Sequence, residues 1–346
     1  MRTLTQRDLN RALLARQLLL ERARTPLPRA LERVGGLQAQ YAPSMYIGLW
    51  SRLERFARDD LTRALARRSV VQGTLMRVTI HLVSRRDYWP FAVAIRRARR
   101  ESWLSGRRRA GGPSAREMAA AARRLRRRIA DGPMQRTEID ELLGKGSVWT
   151  NGVNMWLDLV RVPPSGTWER RRADLYAAAE DWIGSAEATR ADGVELLVRR
   201  YLGGFGPASV AEIANWAGLP PSEVAAALER LRLRRFRAED GAELVDLPRA
   251  PLPDPETPAP VRFLPVWDAT LLVHARRTGI LPEQHRAAVF NVKTPQSVNT
   301  FLVDGAVAGT WRYDDGRIRL EPFGRPDRST RRELNEEAER LAAFHA

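Results

Sequence analysis

The sequence predicts a mainly α-helical protein with small β wings: three tandem winged helix-turn-helix units plus a C-terminal β-hairpin and helix. Three observations carry this expectation. Residues 197–247 read in order as helix, helix, tight turn, helix and hairpin. The same order recurs upstream as a pattern, without residue identity. Seven prolines between 248 and 265 then form an extended linker ahead of a last hairpin and a capped helix. The expected units are 1–110, 111–195, 196–250 and 251–346.

The third unit is the clearest. A helix closes through Leu197–Tyr201 and breaks at Gly203-Gly204-Phe205-Gly206-Pro207. Ser209 and Glu212 form a capping box that opens a short helix, Val210–Trp216. Gly218 turns the chain, and Pro220-Pro221-Ser222 starts a helix with core residues Val224, Leu228 and Leu231. Arg235–Arg237 and Glu243–Asp246 flank Asp240-Gly241, a strong hairpin signal.

In the second unit, Ala115–Ile129 is a basic helix, and Thr137 with Asp140 caps a short helix that Gly144 ends. A third helix is expected over Val148–Val160, then a hairpin turning at Pro163-Pro164-Ser165-Gly166 before Trp168. The first unit has an apolar-periodic helix (Leu9, Leu13, Leu14, Leu18) and a second from near Pro28 to Gly35-Gly36. Its third helix precedes a strand-like run, Gly73–Ser84. After the linker, Asn299–Val303 and Ala306–Tyr313 flank Asp304-Gly305 as a hairpin, and Thr330 with Glu333 caps the final helix.

Composition narrows the chemistry. The 346 residues include no cysteine, which removes disulfides, thiolate zinc sites, Fe–S clusters and a cysteine nucleophile. Four histidines (His81, His274, His285, His345) make a metal centre unexpected, and no cofactor is implied. No apolar run approaches a membrane span and no signal-peptide core follows the start, so a soluble cytoplasmic protein is expected.

The net charge is +17, and 56 of the 58 cations are arginine, because lysine occurs only at 145 and 293. A GC-rich genome alone favours arginine, but genomic bias would scatter it. Between Arg96 and Arg128 there are thirteen arginines against Glu101 and Glu117, a local +11. Such a basic stripe is the footprint of a polyanion binder, since each neutralised phosphate releases counterions. Arg96, Arg97, Arg99 and Arg100 are the candidate phosphate contacts, and double-stranded DNA is the leading partner.

The helix Pro221–Leu231 is poorly equipped for base readout, because its non-core positions are mainly alanine and glutamate. That weakens a sequence-specific regulator. Gly35-Gly36-Leu37-Gln38-Ala39-Gln40-Tyr41-Ala42-Pro43 stands out instead. In extended chain, Gln38 and Gln40 share a face; in a helix they diverge by about 200°. In Met76-Arg77-Val78-Thr79-Ile80-His81-Leu82, alternation puts Arg77, Thr79 and His81 on one strand face.

Together, Leu37–Gln40, Leu49–Leu53, Thr74–Leu82, Leu264–Asp268 and Val303–Arg312 resemble the AlkZ-type winged-helix DNA glycosylases, in order and over nearly the whole chain. The resemblance implies three tandem winged helices around a basic channel. It also implies a catalytic Gln-x-Gln/Asp motif matching Gln38 and Gln40, and hydrolysis of N7-alkylguanine N-glycosidic bonds. Gln in the second position resembles the branch that unhooks azinomycin-type interstrand crosslinks in antibiotic producers.

The chemistry fits. N7-alkylguanine is already cationic, so the leaving group is activated and departs from an oxocarbenium-like sugar. An amide is no general base, but its carbonyl can orient water and face positive charge. Scarce lysine argues against Schiff-base lyase chemistry, since Lys145 and Lys293 sit in no motif. The Asp304-Gly305 hairpin carrying Trp311 and Arg312 is the expected element inserted near the lesion, or else a packed wing with a core tryptophan. Arg77, Thr79 and His81 are expected to shape the site. A monomeric, monofunctional glycosylase therefore competes with a winged-helix regulator and with a non-catalytic protein that sequesters the drug.

Overall fold

A computed structural model describes residues 1–108, 112–144, 147–185, 187–272, 279–290 and 297–346. Lys145, Lys293 and His274 lie outside them, so the expectations resting on the two lysines do too.

The chain opens with β1 (Thr3–Leu4), α1 (Gln6–Arg16), α2 (Leu27–Val34), β2 (Leu37–Gln38), α3 (Ala42–Trp50) and α4 (Arg58–Ala66). β3 (Val70–Thr74), a 3₁₀ turn (Met76–Val78) and β4 (Ile80–Ser84) lead into the long helix α5 (Arg85–Arg108). Next come α6 (Ala115–Ile129), β5 (Met134–Gln135), α7 (Arg136–Leu143), α8 (Ser147–Val153), β6 (Leu159–Arg161), β7 (Leu175–Ala178) and α9 (Ala179–Ile183). The order α10 (Arg190–Phe205), α11 (Val210–Ala217), α12 (Pro221–Glu229), β8 (Arg234–Ala238), β9 (Glu243–Asp246) follows the reading of 197–247 closely. The remainder is β10 (Arg262–Leu264), α13 (Ala269–Leu272), α14 (Arg286–Val289), β11 (Thr300–Val303), β12 (Ala306–Asp314), β13 (Arg317–Pro322) and α15 (Arg328–His345).

Among the described residues, three sheets organise the helices. An antiparallel six-stranded sheet, β2-β4-β3-β6-β7-β5, joins strands from both sides of residue 110. One face packs on α5 and α10 through Val71, Val83, Tyr88, Phe91, Val198 and Tyr201. A second core gathers α2, α3, α4 and α15 around Phe263, Phe301 and Trp311 of the sheet β10-β11-β12-β13. In the third sheet, β1 runs parallel to β8 of the β8–β9 hairpin. Buried ion pairs clasp the N-terminal segment to distant parts. Arg16 meets Asp246 at 2.7 Å and Arg52 meets Asp268 at 2.9 Å.

Several local expectations change, some through long-range contacts and some because a neighbouring residue caps instead. α10 continues through Gly203 and Gly204 and ends at Gly206. A Cβ at Gly204 would stand 2.8 Å from Val34 O, so this glycine permits a close helix crossing instead of a break. α8 stops at Val153, and Val160 lies in a strand between Gly73 and Ala177. α7 is boxed by Gln135 and Glu138, which leaves Thr137 inside the helix. Asp327 caps α15, accepting the Thr330 N–H at 2.8 Å, and β13 adds a strand beyond the expected hairpin.

Candidate active site

The site is built by the entry of β2 into the six-stranded sheet. Gly35 ends α2 in the left-handed region (φ 78), where a side chain would be strained. β2 then pairs as an edge strand with β4, Leu37 opposite Leu82 and Gln38 opposite His81. The Ala39 N–H extends the ladder by donating to Ile80 O at 2.7 Å. Extended backbone at Tyr41 and a proline in the first turn then start α3.

The two glutamines have different surroundings. Gln38 is buried, yet its amide makes no hydrogen bond among the described residues and is not sealed from solvent. Gln40 is exposed, and its Oε1 accepts the Ile80 N–H at 2.7 Å. That bond fixes the carbonyl and leaves its second lone pair free.

His81 lies on the same face as Gln38, because residues directly opposite in a ladder share a face. Its Nδ1 is 3.1 Å from Thr79 O. A carbonyl only accepts, so Nδ1 carries the proton and Nε2 presents a lone pair. Burial, then the Arg77 charge, push the imidazole pKa down to about 3 against this hydrogen bond, so the ring is neutral near pH 7.

Arg77 and Thr79 do not occupy a continuous strand with His81. Met76–Val78 form a 3₁₀ turn in which Arg77 and Val78 are both left-handed. Arg77 Nη1 donates to Trp216 O at the end of α11, and burial lowers its pKa to about 10. Thr79 Oγ1 donates to Met76 O at 3.0 Å within the turn. The structure therefore joins His81 to Gln38, while Arg77 and Thr79 hold the turn that feeds β4.

The leading arginines of the basic stripe mostly serve the fold. Arg99 is buried, donates to Thr74 O at 3.0 Å and ion-pairs with Asp158. Arg96 reaches the same carboxylate at 2.8 Å. Burial works to raise the Asp158 pKa, but Arg99 and Arg96 overcome it and hold the group below its usual value. Arg100 donates to Met155 O at 2.7 Å and lies over Trp156. Arg97 is exposed and paired with Glu101 at 2.8 Å. By contrast, Arg116, Arg123, Arg124 and Arg127 of α6 are exposed and form no ion pair among the described residues.

The Asp304-Gly305 tip is not free to insert. Arg7 and Arg11 hold Asp304, and Asn10 donates to Gly305 O at 2.8 Å, which seats the tip on α1. Trp311 is core, donating from Nε1 to Thr300 O at 3.0 Å and Leu264 O at 3.1 Å. Arg312 is exposed and paired with Glu321. The next tip, Asp315-Gly316, has open space around its glycine, and Tyr313 of the same hairpin stacks on His345 at 4.3 Å.

Two residues beside the glutamines, and one on the turn before β4, escaped the sequence reading. Tyr41 follows Gln40, is 42% exposed, and accepts from Arg171 Nη1 at 3.3 Å. Arg171 comes from the β6–β7 loop, whose run Arg170-Arg171-Arg172 was the available signal. Val78 is exposed on the turn two residues before Ile80. Among the described residues, no three His, Cys, Asp or Glu side chains converge as metal ligands, and no helix is long and apolar enough to cross a membrane.

The sequence model of the family described as "DNA glycosylase AlkZ-like" matches residues 31–344. No curated protein matches the chain. Among solved structures, the DNA glycosylase AlkZ of Streptomyces sahachiroi superposes with a TM-score of 0.84. The sequences are 19% identical, and the match covers 99% of this chain and 97% of the other; at that identity the likeness is one of fold.

Proposed function

Because the chain belongs to the AlkZ-like DNA glycosylase family, we propose that it is a monofunctional enzyme for N7-alkylated guanine, acting on bulky or crosslinked adducts of an azinomycin-like antibiotic as self-resistance. DNA is the partner that the family implies. The three helix–hairpin segments act as winged-helix units that carry a cofactor-free, monomeric enzyme along the duplex.

The observation that carries the reading is the unequal state of the glutamines. Gln38 offers an uncommitted amide, and Gln40 offers a carbonyl whose direction the Ile80 N–H sets. Together they can hold one water at the edge strand β2. As the C1′–N9 bond breaks, its electrons neutralise the cationic base, which leaves as N7-alkylguanine. Water adds to C1′ of the oxocarbenium-like sugar and loses a proton to solvent, giving an abasic site. The amide carbonyls face the developing positive charge without accepting that proton.

A site at a sheet edge, with Gln40 and Tyr41 exposed beside it, suits an adduct tethered to the opposite strand, which cannot swing fully into a closed pocket. The test is incubation with N7-methylguanine duplex and with interstrand-crosslinked duplex, followed by alkali. Strand breaks at the lesion are expected; none on any N7-guanine lesion would overturn the reading.

A further inference from the structure

Backbone strain concentrates in the turn that feeds β4. Arg77 and Val78 are consecutive left-handed residues, φ 53 and 60. For a β-branched side chain this is a real outlier, and it persists only where surrounding contacts over-determine it. Those contacts are present. Arg77 Nη1 is bound to Trp216 O, and a Cβ at Gly218 would stand 3.4 Å from Arg77 N. The Leu75 N–H donates to Thr79 O at 2.9 Å and the Val78 N–H to Leu75 O at 3.1 Å, closing the turn from both ends. The α11–α12 corner is thus a buttress for the turn.

The strained conformation leaves an apolar side chain partly exposed. Val78 is 37% exposed, one of five exposed large apolar side chains among the described residues, with Met1, Tyr41, Val298 and Tyr313. It lies at the lip of a cavity of about 530 Å³ between the turn, α5 and α11–α12. Ile80, two residues on, grips Gln40, so Val78 is carried by the same rigid piece of backbone as the glutamine site. Arg171 flanks that site beside Tyr41, and the whole chain is strongly basic, complementary to a duplex.

We propose that Val78 is an apolar wedge that enters double-stranded DNA at the base step beside the lesion and unstacks it. Proteins that open a duplex use such side chains, and the bend they cause exposes the sugar to chemistry. The inference rests on the glycosylase reading above and assigns how the lesion is presented to Gln38 and Gln40.

The experiment uses the full chain and a duplex with a tetrahydrofuran abasic analogue flanked by 2-aminopurine, whose fluorescence rises on unstacking. Excision from N7-methylguanine duplex is measured in parallel. Val78→Gly relieves the backbone strain while removing the wedge, and Val78→Leu retains an apolar side chain. The wild type is expected to raise the fluorescence. Val78→Gly should keep or raise Tm, lose the fluorescence rise and slow excision by about tenfold or more, and Val78→Leu should restore both. A wild-type fluorescence signal in Val78→Gly, or none in the wild type, overturns the wedge. Fluorescence without excision of any N7-guanine lesion leaves the wedge standing and removes the substrate reading.

Discussion

Gln38 and His81 stand directly opposite each other on β2 and β4, a free amide facing a neutral imidazole whose tautomer is set by Thr79 O. This pairing ties the motif to a strand some forty residues away and makes the edge of the sheet a polar site within an apolar surround.

The two glutamines should fail differently. Gln38→Ala is expected to lower the single-turnover excision rate about 100-fold or more while leaving Tm nearly unchanged. Gln40→Ala should lower the rate and also destabilise by about 1 kcal/mol, because it strips the Ile80 N–H of its partner. Single-turnover kinetics and thermal melts of both variants check this.

Stability should drain with acid. Burial first, then Arg77, hold the His81 pKa at about 3, and burial holds His345 at about 4, both below the unfolded value near 6.5. The contribution of the neutral rings is therefore whole above pH 6.5 and falls as pH drops toward 4 and below. Urea midpoints should decline over that window, and less steeply in His81→Asn. Excision should show no limb from His81 between pH 6 and 8.

Arginines within one stripe should separate into two classes. Arg99→Ala leaves Asp158 with one partner fewer in a buried setting and should destabilise by about 3 kcal/mol. Changing Arg116, Arg123, Arg124 and Arg127 to Gln should leave Tm unchanged. It should flatten the dependence of log K on log salt by about 0.9 for each one that meets a phosphate. Denaturant unfolding and salt titrations of DNA binding distinguish the classes.

Trp311→Ala should cost about 3–5 kcal/mol in unfolding free energy, the price of emptying a core site and losing two hydrogen bonds. An inserting surface residue would leave stability unchanged. Arg312→Ala is expected to shift unfolding by less than about 1 kcal/mol, because its pair with Glu321 is exposed.

Much of the architecture was legible where the signal was local. α6 and α11 carry complete capping boxes, and Gly218 closes α11, so their bounds could be read from adjacent residues. The Asp240-Gly241 hairpin was equally local. The run through residues 76–82 alternated like a strand, but Trp216 and Gly218, some 140 residues on, clamp it into a turn. Arg99 could not be told from a phosphate contact because Asp158 is 59 residues away. Gln38 and Gln40 were found through a resemblance of motifs. Their unequal roles depend on one backbone N–H of Ile80, which no spacing within the motif displays.

The parallel pairing of Thr3–Leu4 with Arg237–Ala238 has a consequence for biogenesis. On a ribosome adding about 5–20 residues per second, the first strand waits more than about ten seconds for its partner. Arg16 waits as long for Asp246. The amino-terminal helix therefore cannot complete its burial as it is born, and residues 190–246 cut out alone would lack an edge strand. Translation order and assembly order part company here: the beginning of the chain is among the last pieces to be locked in place.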